Sequence, residues 1–105
     1  MMKINDNRLD FHKKLQSIFP NGKIYFQPDS NIKLSYPCIV YELNYIGTKY
    51  AGNSRYISNF RYSVKVISKS PFNDVIDRLL EFPYSSYDRH YVADGLNHDV
   101  ITIFN

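Results

Sequence analysis

Between positions 56 and 68 the chain alternates: Tyr56, Ser58, Phe60, Tyr62, Val64 and Val66 fall on one side, Asn59, Arg61, Ser63 and Lys65 on the other. Successive side chains of a strand point to opposite faces, so this segment predicts a long strand with one face in a core and one in solvent. A strand of that kind belongs in an antiparallel sheet covered on one side only. The segment before it, CIVYELNYIG at 38–47, alternates less cleanly, with Ile39, Tyr41, Leu43 and Tyr45 on one side and Val40, Glu42 and Asn44 on the other. The polar stretch GTKYAGNSR at 47–55 reads as a turn region too short for the crossover helix of a parallel pair, which predicts an antiparallel hairpin.

Two amphipathic segments supply the cover. Phe11, Leu15, Ile18 and Phe19 recur at helical spacing, with Asp6 or Asn7 as the expected cap and Pro20-Asn21-Gly22 as the stop; Asp10, Lys13, Lys14 and Ser17 form the polar face. Phe72, Val75, Ile76, Leu79 and Leu80 form the stripe of a second helix laid on a sheet, with Ser70 as cap, Pro71 at the first position, Asp74 near the start and Pro83 beyond the end. KIYFQ at 23–27 reads as a short strand followed by a polar loop reaching Tyr36-Pro37, SSYDRHYV at 85–92 and HDVITIF at 98–104 as the last two strands, and Asp94-Gly95 as the turn between them. The expected fold is therefore α+β in the order αβββαββ, one domain over 1–105, with a mostly antiparallel sheet and two helices packed on one face.

Composition narrows the chemistry. A single cysteine, Cys38, excludes an internal disulfide framework and a zinc site built on paired cysteines; after Pro37 at a strand start it reads as a small buried hydrophobe. The four glycines stand alone in turns, so no phosphate-cradling loop is expected. His12 lies on the polar helix face beside two lysines, whereas His90 and His98 flank the 94–95 turn and could face each other across a hairpin near Asp88 and Asp99, without metal-motif spacing. No catalytic constellation, metal site or cofactor site is assigned. No apolar run suits a membrane span, and the start lacks the apolar stretch of a secretory signal, so no membrane partner is expected. Thirteen Lys and Arg against ten Asp and Glu leave a formal charge of +3, too small to make nucleic acid the default partner. Basic and aromatic residues do interleave at Arg55, Tyr56, Arg61, Tyr62 and Lys65, as in single-strand binders, but period two sends the tyrosines to the face opposite Arg61 and Lys65. Ten Tyr and seven Phe without a Trp exceed what a small core needs and suit interfaces.

YFQP at 25–28, YPCIVYE at 36–42, RYSVKVI at 61–67 followed by SP at 70–71, and RHYVADGLNHDVITIF at 89–104 together resemble the small tail-completion or tail-terminator proteins of long-tailed bacteriophages, from Tyr25 onward. The resemblance implies a non-enzymatic virion subunit, assembled in the host cytoplasm. It would form a ring, commonly hexameric, that caps the tail tube and docks on the head-tail connector, with passing DNA as a transient contact. Exposure and residue type place the expected contacts on the 47–55 tip (Lys49, Tyr50, Arg55), the 28–36 loop (Asn31, Lys33, Tyr36) and the 89–98 turn (Arg89, Tyr91, Asn97, His98), with Arg61 and Lys65 lining the lumen. The alternatives are a small basic ribonuclease or toxin using His90 or His98, and a single-strand nucleic-acid binding module.

Overall fold

The computed structural model describes residues 3–52, 54–71 and 73–105, with side chains throughout except at 50, 51 and 54–58. The chain runs α1 (Ile4–Ile18), β1 (Lys23–Phe26), β2 (Cys38–Ala51), β3 (Ser54–Ser68), α2 (Asp74–Leu79), β4 (Ser85–Ala93) and β5 (Leu96–Phe104). The five strands form one sheet in the order β1-β2-β3-β5-β4. The sheet is mixed: β1 pairs parallel to β2, from Lys23↔Cys38 to Phe26↔Tyr41, and every other pair is antiparallel. A four-residue strand needs only a short return path, and the 27–37 loop supplies it without a crossover helix.

Phe11 and Leu15 from α1 and Val75 and Leu79 from α2 pack on Ile39, Tyr41, Phe60, Tyr62, Val64, Val66, Ile101 and Ile103, a single cluster on one face of the sheet. The pairs Tyr41↔Val64 and Val64↔Ile101 show the register that lines these side chains up. On β3 the expected alternation is seen from Phe60 to Val66; the side chains of Tyr56 and Ser58 lie outside the described residues.

Several local expectations are corrected. Helix α1 begins one turn earlier, at Ile4, with Lys3 as N-cap; Asn7, expected as a cap, sits inside the helix and is buried, its Oδ1 accepting from Tyr62 Oη at 2.7 Å and its Nδ2 donating to Asn105 O at 2.9 Å. The cap of α2 is Asn73 rather than Ser70, accepting from Val75 N–H at 2.9 Å; Phe72 lies outside the described residues. Ser70 instead offers its carbonyl to Ser68 Oγ at 2.6 Å. Gln27 leaves β1 with φ 42°, β5 starts two residues early at Leu96, and Asp94 and Gly95 both take positive φ, the geometry of a two-residue hairpin turn.

The largest correction is the hairpin. Residues 47–51 and 54, 55 do not form a turn but continue the ladder, with Lys49↔Tyr56, Tyr50↔Arg55 and Ala51↔Ser54 paired around a reversal opened by Gly52 at φ 62°. A backbone ladder is indifferent to side-chain polarity, and Gly permits the positive φ that a tight reversal needs. On its other side β3 pairs with β5 only from Arg61 to Ser68, extended by one Asn105 N–H to Phe60 O bond. Among the described residues, the pairs from Gly47↔Asn59 to Ala51↔Ser54 therefore belong to a two-stranded ribbon projecting past the five-stranded sheet, in a molecule measuring 52 × 29 × 24 Å.

His12 Nδ1 lies 2.7 Å from the buried Tyr41 hydroxyl, and burial, helped by the Arg8 charge, lowers the imidazole pKa. Protonation then favours the unfolded chain, so this contribution to stability is complete above the ordinary value near 6.5 and is lost as pH falls below it toward the lowered folded value. Urea midpoints measured from pH 7.5 to 5.5 should fall in the native chain and change less in His12→Gln, which keeps a polar partner for Tyr41. Equal slopes would refute the assignment.

Candidate functional site: the uncovered face of the sheet

Two β-bulges decide what the uncovered face displays. In β2 the pairing steps from Leu43↔Tyr62 to Tyr45↔Arg61, leaving Asn44 as the extra residue. Tyr45, expected on the core side, therefore turns outward, and Ile46 takes the inner position opposite Phe60. Asn44 Oδ1 accepts from Arg61 Nε at 3.0 Å, and the Arg61 guanidinium lies 4.9 Å from the Tyr45 ring centre. In β4 the pairing steps from Tyr87↔Ile101 to Arg89↔Val100, leaving Asp88 extra. Arg89 and Tyr91 face outward as a result, and His90 turns inward. Bulges of this kind re-aim side chains at the expense of one unpaired residue.

The outcome is two cation-aromatic groups on the side away from both helices. In the first, Tyr91 stacks on His98 with ring centres 4.7 Å apart and planes 10° apart, while Arg89 and Lys65 approach the Tyr91 ring at 5.1 and 5.9 Å. Lys65 and Arg89 share a row across the sheet through Val100. In the second, Tyr45, Arg61 and Phe104 form a row, with Tyr45 48% and Phe104 37% exposed. Arg61 and Lys65 are four residues apart on β3, so the groups stand about 13 Å apart at roughly 3.3 Å per residue. Between them lies the row Glu42, Ser63 and Thr102. Two carboxylates share this face: Asp88, held by Thr102 Oγ1 at 2.6 Å, and exposed Glu42. Guanidinium and ammonium groups held against aromatic rings gain about 0.5–1 kcal/mol at exposed sites and stay available to an anion at their free edges.

The sequence-expected residues are thus sorted differently from their order in the chain. Arg61 and Lys65 join Arg89, Tyr91 and His98 in one surface, whereas Asn97 falls on the opposite face, donating to Lys69 O at 3.3 Å. Lys49 is exposed on the ribbon; the side chains of Tyr50 and Arg55 lie outside the described residues. Asn31, Lys33 and Tyr36 are exposed on the 27–37 loop, which Ser35 N–H ties to Tyr25 Oη at 3.2 Å. Tyr45, Phe104 and the two bulges escaped sequence reasoning.

His90 and His98 do not face each other. The Asp88 bulge pairs His90 with Asp99 and His98 with Tyr91, so the two rings lie on opposite faces and cannot serve one phosphodiester as acid and base. His90 Nε2 is 3.1 Å from Asn97 Oδ1, and His98 Nδ1 donates to Leu96 O at 3.0 Å. On the helix side, Pro71, Ile76, Leu80, Tyr87, His90 and Asp99 line a cleft between α2 and β4. Its buried carboxylate, Asp99, accepts from Tyr87 Oη at 2.6 Å, and that bond pushes the phenol pKa up to about 12. Cys38 is fully buried, and desolvation pushes its thiol up to about 11, as suits a packed rather than a reactive side chain. Among the described residues, no group of three or more His, Cys, Asp or Glu is placed to hold a metal ion, and no helix is long and apolar enough to cross a membrane. No protein-family model, curated protein or solved structure matches this chain.

Proposed function

We propose that this chain is a structural subunit of a long-tailed bacteriophage virion, a tail terminator that assembles into a closed ring, caps the tail tube and joins it to the head-tail connector. The observation that carries the reading is the projecting β2–β3 ribbon. A two-stranded ribbon is marginal in water by itself, and this one extends past the helix-covered core, where no third strand joins its ladder among the described residues. Backbone edges left open in this way are satisfied by strand addition from a neighbour. A ring subunit needs two different patches, since head-to-tail contacts close only by rotation. The ribbon with Lys49 is one. The β4 edge, whose residues Tyr87 and Val92 are 44% and 64% exposed, is the other. The 27–37 loop, with Asn31, Lys33 and Tyr36 exposed, adds a contact for the tube protein.

Native mass spectrometry of the chain alone and with purified tail tubes tests the reading. The expected result is a closed oligomer, or one that forms on the tube end. Replacing residues 47–59 by a two-residue Asn-Gly turn, which keeps Ile46 opposite Phe60, should leave the core folded and abolish assembly. A native chain that stays monomeric in both settings overturns the proposal, as does a ribbon-shortened variant that assembles normally.

A further inference from the structure

We propose that the uncovered face of the sheet binds single-stranded nucleic acid, with phosphates held by Arg61, Lys65 and Arg89 and bases stacked on Tyr45 and Phe104. Single-strand binders combine a positive track for the backbone with aromatic side chains that take bases in succession. Sequence periodicity argued against such an arrangement, because it set the tyrosines of β3 opposite its bases. The two bulges supply the missing aromatics from other strands: Tyr45 arrives from β2, Tyr91 from β4, and Phe104 completes the row from β5. Tyr45 and Phe104 are the exposed rings, whereas Tyr91 is already stacked on His98 and serves to hold Arg89 and Lys65 in place.

Charge complementarity selects this occupant. Arg61, Lys65 and Arg89 outnumber the two carboxylates of this face, Asp88, which accepts from Thr102 Oγ1, and Glu42, which stands on β2 opposite Ser63 in a groove shared with Gln27, Pro28 and Lys65. The two cation-aromatic groups, about 13 Å apart by strand rise, are separated by a span of a few nucleotides, which the sugar-phosphate chain crosses over the small Ser63 and Thr102 side chains, between Glu42 on β2 and Asp88 on β4. A duplex keeps its bases stacked inside and has nothing to offer the exposed rings, so the single strand is favoured. The ribbon takes no part, and binding should be present whether the chain is monomer or ring.

Fluorescence anisotropy with a labelled 20-nucleotide oligothymidylate tests this on the full chain. Three neutralised phosphates give a log-log salt slope near −2, or about a 20-fold loss of affinity between 50 and 200 mM salt. Arg61→Ala or Arg89→Ala should reduce that slope by about 0.7 each. Tyr45→Ala or Phe104→Ala should weaken binding roughly 5- to 100-fold, a stacked base lost. Lys13→Ala, on the far side of α1, should change nothing, and thermal unfolding of each variant reports whether the fold is kept. No binding at 50 mM salt, equal affinity for a 20-base-pair duplex, competition by polyglutamate as effective as by unlabelled oligonucleotide, or equal losses in folded Lys13→Ala and Arg61→Ala would each overturn the proposal.

Discussion

Phe11→Ala should destabilise the fold by about 3–5 kcal/mol and lower its thermal midpoint by roughly 20 °C, the largest single-residue effect expected in the molecule. Phe11 is fully buried and is the point where α1 meets the aromatic interior: its ring stacks on Tyr62 at 4.3 Å and meets Tyr41 and Phe82 edge-on at 5.6 and 6.1 Å. Truncation removes the transfer free energy of a phenyl group and three ring contacts worth about 0.5–1.5 kcal/mol each, and the sheet behind it cannot collapse into the space. Leu9→Ala is the control. Leu9 lies on the same helix but is 43% exposed, so its loss should stay within about 0.5 kcal/mol. Chemical denaturation of the two variants side by side measures the difference; similar midpoints would show that α1 is not seated on the sheet as described.

Apolar periodicity made the parts of the fold that bury one face legible. Val64 and Val66 on β3 and Val75 and Leu79 on α2 declare their buried sides, because burial of every second or every third and fourth residue leaves a compositional trace. Asp94-Gly95 is legible for a different reason, since few residue pairs accept two positive φ angles. Register is where periodicity stops helping. Asn44 and Asp88 are each simply another polar residue in the sequence, yet each is the unpaired residue that redirects the strand after it. Strict alternation from Tyr87 would have put Tyr91 on the core side and left His90 opposite His98. The parallel β1–β2 pair is equally silent, because the 27–37 loop is polar whichever way its ends connect. The uncovered face was thus half visible, in Arg61, Lys65, Arg89, Tyr91 and His98, and lacked the two rings that bulge and strand end bring to it.

Asn7 shows the same limit from the interior, and a double-mutant cycle exposes it. In sequence, Asp6-Asn7 before an amphipathic run signals a cap, whose side chain would bond N–H groups within its own turn. In the fold Asn7 is 4% exposed and its amide bridges two distant groups, accepting from Tyr62 Oη and donating to Asn105 O. Burial raises the Tyr62 phenol to about 12, so the hydroxyl keeps its proton and donates it throughout the neutral range. Asn7→Leu leaves that buried hydroxyl and a carbonyl without partners, each costing about 1–3 kcal/mol, and should destabilise by about 2–6 kcal/mol in sum. Tyr62→Phe alone leaves the Asn7 oxygen with only the weaker 3.5 Å bond from Asn105 Nδ2 and should cost about 1 kcal/mol. In the double variant the orphaned hydroxyl is gone, so adding Tyr62→Phe to Asn7→Leu should cost nothing or recover stability, a coupling of about 1–2 kcal/mol. Additive losses would mean that the two side chains do not bond to each other.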